Sequence, residues 1–119
     1  MKRPMVTSES LAQWEIVVLP FPYTDRLAEK RRPALIVSKL CVAKDYGLLW
    51  VAMITSAENE RWASDIEISN TAKSGLSTPS VIRPVKIATI EADRVLRTLG
   101  KLGPKEIRAV KTALSKILG

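Results

Sequence analysis

Cationic and hydroxyl side chains stand at the ends of predicted strands, where they could bind and act on a phosphate. Arg31 and Arg32 come directly before one long apolar run, and a guanidinium can hold a phosphate bidentately because its N–H groups form a planar fork. Thr55 and Ser56 end the next apolar run, and Arg83 ends a later one. Because strand ends of a curled sheet can converge on one rim, these side chains predict a phosphate-binding site there.

The strands that would position these residues are short β-branched or aliphatic runs bounded by Pro, Gly, Asp and Ser. They are predicted at 14–20, 33–39, 48–55, 65–68, 80–83, 85–90 and 95–99. Turn-forming residues at 44–47, with Gly47 suited to a positive φ, predict a hairpin between the second and third runs. Pro84 is expected to mark a bend or an edge, and the acidic side of the fourth run, Asp65 included, is expected to face solvent.

One amphipathic helix is predicted at the C-terminus, over 104–118. Pro104 behind Gly103 suits the first helical position. Apolar residues then recur at steps of three and four, at Ile107, Val110, Leu114, Ile117 and Leu118. Strands with short connections followed by one helix predict a small curled antiparallel sheet or barrel. We expect a single domain over 1–119 in which 1–13 is an N-terminal extension.

The excess of basic residues lies almost entirely in the second half of the chain. Lys and Arg number 8 against 7 Asp and Glu in residues 1–60, and 11 against 5 in residues 61–119, for a net charge of +7. Three explanations stay open: a solvated basic surface, a face for nucleic acid, or a docking surface for an acidic protein.

Several kinds of chemistry are disfavoured by what the composition lacks. The chain has no His, which removes the usual proton shuttle near neutral pH and, with a single Cys, ordinary zinc sites. Cys41 alone cannot form an intrachain disulfide, and we expect it to act as a small hydrophobic residue beside Leu40 and Val42. Trp14 and Trp50 lie within predicted strands and are expected in the core. No apolar run approaches the roughly 18 to 20 residues of a membrane span. A soluble, cytoplasmic protein without a membrane partner is expected.

Four blocks in this order resemble the MazF/PemK group of type II toxins. They are 17–25 (VVLPFPYTD), 30–38 (KRRPALIVS), 54–56 (ITS) and 79–83 (PSVIR). The resemblance extends from about Trp14 to the end of the chain. An Arg-Pro strand opening is common by itself, but the four blocks in order are a fairly specific match.

The resemblance implies an SH3-like barrel, mainly β with a C-terminal helix, that forms a symmetric homodimer. It also implies cleavage of single-stranded RNA at short sequence motifs without a metal ion or other cofactor, and a cognate antitoxin protein as partner. In this family the Arg before Pro and the Thr of the Ile-Thr-Ser block form the central pair of the active site. Carried over to this chain, the implied catalytic residues are Arg32 and Thr55.

The implied chemistry suits these two side chains. Attack of a ribose 2′-hydroxyl on the adjacent phosphate builds negative charge on the phosphoryl oxygens, which a fixed guanidinium stabilises. We assign Arg32 this electrostatic role, because a group with a pKa above about 12 is a poor proton donor. Thr55 would hold the phosphate or the attacking hydroxyl. The implied products are a 2′,3′-cyclic phosphate and a 5′-hydroxyl.

Six further residues are candidate RNA contacts: Lys30, Arg31, Ser56, Arg61, Trp62 and Arg83. Each has a structural alternative. Lys30 and Arg31 could simply blunt a sheet edge, and Ser56 could start a turn. Trp62 could stack an unpaired base or cap the core. Phe21, in the Pro-rich stretch, is expected to pack under the loop that follows it.

The general base stays open. Several family members carry a Glu five residues before the active-site Arg, a position that Leu27 occupies here. Asp25 and Glu29 lie close by and could substitute. Two other functions also stay open: a non-enzymatic protein poison resembling the CcdB gyrase inhibitors, and a plain nucleic-acid-binding barrel.

Overall fold

The computed structural model describes residues 11–21, 30–69 and 71–119, with the side chains of residues 30, 71 and 72 left aside. Within these ranges six strands and three helices follow one another. They are β1 (Glu15–Phe21), β2 (Lys30–Ile36), α1 (Leu40–Tyr46), β3 (Leu48–Ser56), β4 (Ile66–Ile68), α2 (Thr71–Ser74), β5 (Ser80–Glu91), β6 (Arg97–Lys101) and α3 (Pro104–Leu118). A single 3-10 turn, Ala92–Arg94, joins β5 to β6.

The strands form one sheet in the order β4-β5-β3-β2-β1-β6, and each described pair of neighbours is antiparallel. The sheet has the shape of a half-barrel, and the C-terminal helix follows it in the chain. The predicted mainly β fold with a C-terminal helix is confirmed. None of the helices in the described part of the chain is long and apolar enough to cross a membrane.

Successive side chains of a strand point to opposite faces of the sheet, and the apolar ones form two clusters, one on each face. Val17 and Ala34 are opposite each other and belong to the first cluster. The next pair, Ile16 and Leu35, belongs to the second, which also contains Val110 of α3. Both faces are therefore covered, and the buried strands need apolar residues at consecutive positions.

The segment between β2 and β3 is a helix, where the sequence predicted only a hairpin turn. Gly47 has φ +69°, as expected, but it ends α1, and its N–H donates to the carbonyl of Ala43. Only Ala43 of α1 is buried. Cys41, which was expected to act as a small hydrophobic residue, is exposed on α1.

Other local predictions also needed correction. β2 begins at Lys30 and ends at Ile36, so the cationic residues expected in the loop are part of the strand. Trp50 is 49% exposed, because it alternates with the fully buried Leu49 and Val51 on β3 and points the other way. Trp14 is half-buried, and Phe21 is buried as predicted, 3% exposed.

The two predicted runs around Pro84 form one strand with an irregularity at the expected place. Met53 pairs with Arg83, whereas the adjacent Ala52 pairs with Ile87, so residues 84–86 bulge out of the ladder. A proline is tolerated there because it has no N–H to donate.

Candidate active-site cleft

Arg32 and Thr55 lie on neighbouring strands and share one face of the sheet. In the β2–β3 ladder Ala34 pairs with Met53, and both side chains belong to the same apolar cluster. Side chains two residues apart on a strand point to the same face. Continuing the register by two residues places Arg32 opposite Thr55.

A cleft of about 650 Å³ is lined by both residues. Its lining includes three arginines, Arg31, Arg32 and Arg97, drawn from two different strands. Five hydroxyl side chains also line it: Thr55, Ser56, Ser77, Thr78 and Ser80. No Asp or Glu is present among the described residues that line the cleft. The cleft is therefore positively charged and rich in hydrogen-bond donors, as an anion-binding site requires.

The hydroxyl of Thr55 has a fixed partner that the sequence did not reveal. Asn59 Nδ2 donates a hydrogen bond of 2.6 Å to Thr55 Oγ1, and Thr55 is only 5% exposed. The backbone N–H of Asn59 in turn donates to the carbonyl of Ser56 at 3.1 Å, which folds the chain back over the end of β3. Because the Thr55 oxygen accepts from Asn59, its own hydrogen is directed to another acceptor.

Ser56 both lines the cleft and starts a turn. Its Oγ accepts the backbone N–H of Glu58 at 3.1 Å, which is the local bond of a serine turn. The next residue, Ala57, donates its N–H to the carbonyl of Pro79 at 3.0 Å. The turn that carries Asn59 is thereby fastened to the start of β5.

Of the other two predicted phosphate contacts on β2, the structure describes the side chain of Arg31 only. Arg31 is exposed and lines the cleft. The backbone of Lys30 opens β2, while its side chain lies outside the described part. Arg97 of β6 also lines the cleft, although no sequence block singled it out. Only the pairing of β6 with β1 brings it there, which a local pattern cannot reveal.

Two glycines allow one wall of the cleft, residues 75–78 after α2, to pack tightly against β6. A Cβ on Gly100 would lie 2.3 Å from the carbonyl oxygen of Lys73, in α2. A Cβ on Gly75, just after α2, would lie 2.1 Å from the carbonyl oxygen of Leu99. Backbone meets backbone at both points, so the segment after α2 has a fixed position beside Arg97.

Arg83 lies outside the cleft lining and is engaged inside the protein. Its guanidinium donates to both carboxylate oxygens of Asp65, at 3.0 and 2.8 Å, and to the carbonyl of Glu60 at 2.7 Å. The Asp65 side chain is fully buried, so the prediction that it faces solvent is wrong. Burial raises the pKa of Asp65, but the hydrogen bonds from Arg83 and Trp62 lower it further, so that the net pKa is below its ordinary value.

Trp62 packs against the guanidinium of this ion pair and is partly exposed to solvent. The Arg83 guanidinium carbon lies 4.1 Å from the centre of the Trp62 ring, whose residue is 41% exposed. Lys86 Nζ lies 5.9 Å from the same centre. Arg61 is exposed and forms an ion pair with Glu67. RNA contacts by Arg61, Trp62 and Arg83 stay predictions, and the internal bonds of Arg83 favour a structural role for it.

The two candidate bases, Asp25 and Glu29, lie outside the described residues. No cluster of three or more His, Cys, Asp or Glu side chains that could hold a metal ion is found within 11–21, 30–69 and 71–119.

Comparison with known proteins adds a family match to this geometry. A model of the family described as "PemK-like, MazF-like toxin of type II toxin-antitoxin system" matches residues 12–118. Sequence comparison with curated proteins gives no match.

Solved structures with the same fold include several toxins. MazF from Deinococcus radiodurans has a TM-score of 0.73 at 20% identity, over 91% of this chain and 96% of that one. An endoribonuclease in complex with its cognate antitoxin, from Mycobacterial species, has a TM-score of 0.69 at 19% identity, over 91% and 92%. The Mycobacterium tuberculosis toxin MazF-mt6 has a TM-score of 0.70 at 24% identity, over 87% and 95%.

Proposed function

The chain belongs to the PemK-like, MazF-like toxin family of type II toxin–antitoxin systems, and from this premise we propose that it is a sequence-specific endoribonuclease. Its substrate is single-stranded RNA, which it cuts through attack of a 2′-hydroxyl and without a metal ion. The observation that carries the proposal is the shared position of Arg32 and Thr55 in a cleft whose described lining is cationic.

In the proposed reaction, the ribose 2′-oxygen attacks the adjacent phosphorus and the bond from phosphorus to the 5′-oxygen breaks. The negative charge that develops on the phosphoryl oxygens is stabilised by the guanidinium of Arg32, which stays protonated throughout. Thr55 donates its hydroxyl hydrogen to one of these oxygens, since Asn59 occupies one lone pair of the Thr55 oxygen and orients the hydroxyl. A 2′,3′-cyclic phosphate and a 5′-hydroxyl result.

The proton of the 2′-hydroxyl must pass to a base, and the departing 5′-oxygen must gain a proton. Asp25 and Glu29 are the candidates for the base, because both stand in the segment that leads into β2. Lys30 and Arg31 would bind flanking phosphates, with Ser56 beside Thr55 as a further donor.

The proposed partners are a cognate antitoxin and a second copy of the chain, in the cytoplasm. The surface proposed for self-association is an apolar groove of about 640 Å³, between the end of α3 and the sheet. Exposed apolar side chains line it: Trp50, Val85, Ile87, Ile117 and Leu118. A cluster of this kind marks an interaction site more often than a plain solvated surface.

The experiment is direct: purified protein is incubated with a long unstructured RNA in excess EDTA, and the fragment ends are identified. We expect discrete fragments with cyclic phosphate and 5′-hydroxyl ends. Intact RNA would overturn the proposal. A stable complex with a topoisomerase but no cleavage would point to the gyrase-poison alternative, and salt-dependent RNA binding alone to a nucleic-acid-binding barrel.

A further inference from the structure

We propose that Arg97 of β6 forms a second phosphate-binding subsite in the cleft, for a backbone phosphate of the RNA next to the one that is cut. The inference rests on the proposed function for the nature of the ligand. Its support is the placement of Arg97 in the fold and the charge of its surroundings.

Strand pairing fixes where Arg97 stands relative to the strand of Arg32. Val18 of β1 pairs with Pro33 of β2 on one side and with Arg97 of β6 on the other. Because adjacent strands are about 4.8 Å apart, Arg97 and Pro33 are about 10 Å apart across β1. Arg97 shares the face of Pro33, whereas Arg32 is the next residue along β2 and points to the opposite face. Arg97 and Arg32 thus approach the cleft from different faces of the sheet, so we assign them different phosphates.

Side-chain direction places Arg97 on the same face as Arg31. Residues directly opposite in an antiparallel ladder point to one face, so Arg97, Val18 and Pro33 share it. Arg31 is two residues from Pro33 on β2 and points the same way. The two arginines lie on the two strands next to β1. A single-stranded RNA that crosses β1 could therefore contact one arginine on each side.

Neither arginine has a partner in the described part of the chain that would neutralise it. The side chains of Arg31 and Arg97 form no hydrogen bond or ion pair with the described residues, and both residues are exposed. The cleft lining described above holds no carboxylate. Cations gathered without counter-charge repel one another, and an anionic strand relieves that repulsion when it binds.

The segment after α2 contributes neutral hydrogen-bond donors to the same cleft as Arg97. Ser77 and Thr78 are exposed and line the cleft after α2. The carbonyl of Thr78 accepts the hydroxyl of Ser80 at 3.0 Å, which holds this segment to β5. Gly75 and Gly100 set its close approach to β6. A phosphate between Arg97 and this wall would receive one charged and one or more neutral hydrogen bonds.

The test measures binding and does not require cleavage. The probe is a single-stranded 12-nucleotide pool of randomised sequence with 2′-O-methyl sugars, in which the attacking hydroxyl is blocked. Its affinity is measured against salt concentration for the wild type, Arg97→Ala, Arg97→Lys and Arg108→Ala. Arg108 is the matched control, because it is an exposed arginine on α3 outside the cleft.

We expect Arg97→Ala to reduce the slope of log affinity against log salt by about 0.7, the value for one phosphate contact on a single strand. Arg97→Lys should keep the slope, and Arg108→Ala should match the wild type. Under cleavage conditions Arg97→Ala should raise KM several-fold and leave kcat nearly unchanged. Circular dichroism and thermal unfolding confirm that each variant is folded.

The outcomes separate this inference from the proposed function. A folded Arg97→Ala variant with the wild-type slope overturns the subsite, even if the protein cuts RNA. A reduced slope in a protein that cuts no RNA supports the subsite and overturns the nuclease. A reduced slope of equal size in Arg108→Ala shows only general charge attraction and overturns the subsite.

Discussion

The side-chain amide of Asn59 donates a 2.6 Å hydrogen bond to the hydroxyl of Thr55, four residues before it in the chain. Asn59 is exposed as a residue, while Thr55 is almost fully buried. The amide occupies a lone pair of the Thr55 oxygen and so sets the direction in which the hydroxyl hydrogen points. Asn59 is thus a positioning residue for Thr55 in the proposed reaction.

Replacement of Asn59 should slow cleavage without weakening RNA binding. Asn59→Ala removes a hydrogen bond worth about 0.5–1.5 kcal/mol, so kcat should fall by about two- to tenfold at an unchanged KM. Asn59→Asp should fall further, because a carboxylate accepts the Thr55 hydrogen and turns it away from the phosphate. Single-turnover cleavage rates measure both. Equal rates for Asn59→Asp and Asn59→Ala would contradict this account.

Replacement of Arg32 should be the most damaging single change in the cleft. Removal of one preorganised donor to a transition-state charge costs about 10²- to 10³-fold in kcat, and we expect that loss for Arg32→Ala. Arg32→Lys should recover little, because an ammonium lacks the planar fork. Rates are compared with those of Arg108→Ala, an arginine substitution outside the cleft. Full activity in Arg32→Ala would remove Arg32 from the mechanism.

Local sequence patterns predicted correctly those elements that depend mainly on residues within the element itself. The helix 104–118 is an example, because Pro104 starts it and its apolar stripe contacts the sheet. The irregularity at Pro84 is another, since it follows from one missing N–H. The pairing of Arg32 with Thr55 came from the resemblance and fits the β2–β3 register.

Features that depend on distant partners were not predictable in this way. Arg83 seemed a surface cation, but Asp65, 18 residues earlier, makes it an internal ion pair. Arg97 joins the cleft only through β6–β1 pairing. Asn59 is a polar residue in a turn, and nothing in its neighbours indicates that its amide reaches Thr55.

Acid should destabilise the fold partly through Glu106, which joins α3 to the segment after β4. Its Oε2 accepts both the hydroxyl and the backbone N–H of Ser69. The hydroxyl bond lowers the pKa of Glu106 below its ordinary 4.5, against the opposing effect of burial. The unfolded chain therefore binds more protons in this range. The contribution to stability is full above about pH 4.5 and is lost as the pH falls through the folded-state pKa.

Urea unfolding measures this effect over a range of about four pH units, roughly pH 3 to 7, which includes the ordinary pKa values of carboxyl groups. Glu106→Gln should lower stability at neutral pH and flatten the acid-side decline. Glu91→Gln, an exposed substitution of the same type, is the control. A decline just as steep in Glu106→Gln would assign the acid sensitivity to other groups, Asp65 among them.

Gly100→Ala should destabilise the protein through a direct clash. The added Cβ would lie 2.3 Å from the Lys73 carbonyl oxygen, and overpacking of this kind costs about 1–3 kcal/mol. Gly47→Ala is an informative comparison, because nothing lies within 4 Å of its Cβ and only the φ of +69° is unfavourable, at about 1–2 kcal/mol. Urea unfolding gives both free energies.

Activity then distinguishes the two glycine variants. Gly100→Ala should also lower cleavage by the folded protein, since α2 and β6 must move apart beside the cleft. Gly47→Ala should change stability alone, because it ends α1 away from the cleft lining. Normal kcat/KM in folded Gly100→Ala would show that the cleft tolerates this displacement.

A charge in the apolar groove should prevent self-association. Trp50 is 49% exposed in the groove, so Trp50→Glu removes apolar contact area at the proposed interface and should leave the fold of one chain intact. Sedimentation velocity should show a dimer for the wild type and a monomer for this variant. Tyr46→Glu is the matched control, because Tyr46 is 74% exposed on α1 but does not line the groove. If Trp50→Glu sediments as a dimer, the two copies associate through a different surface.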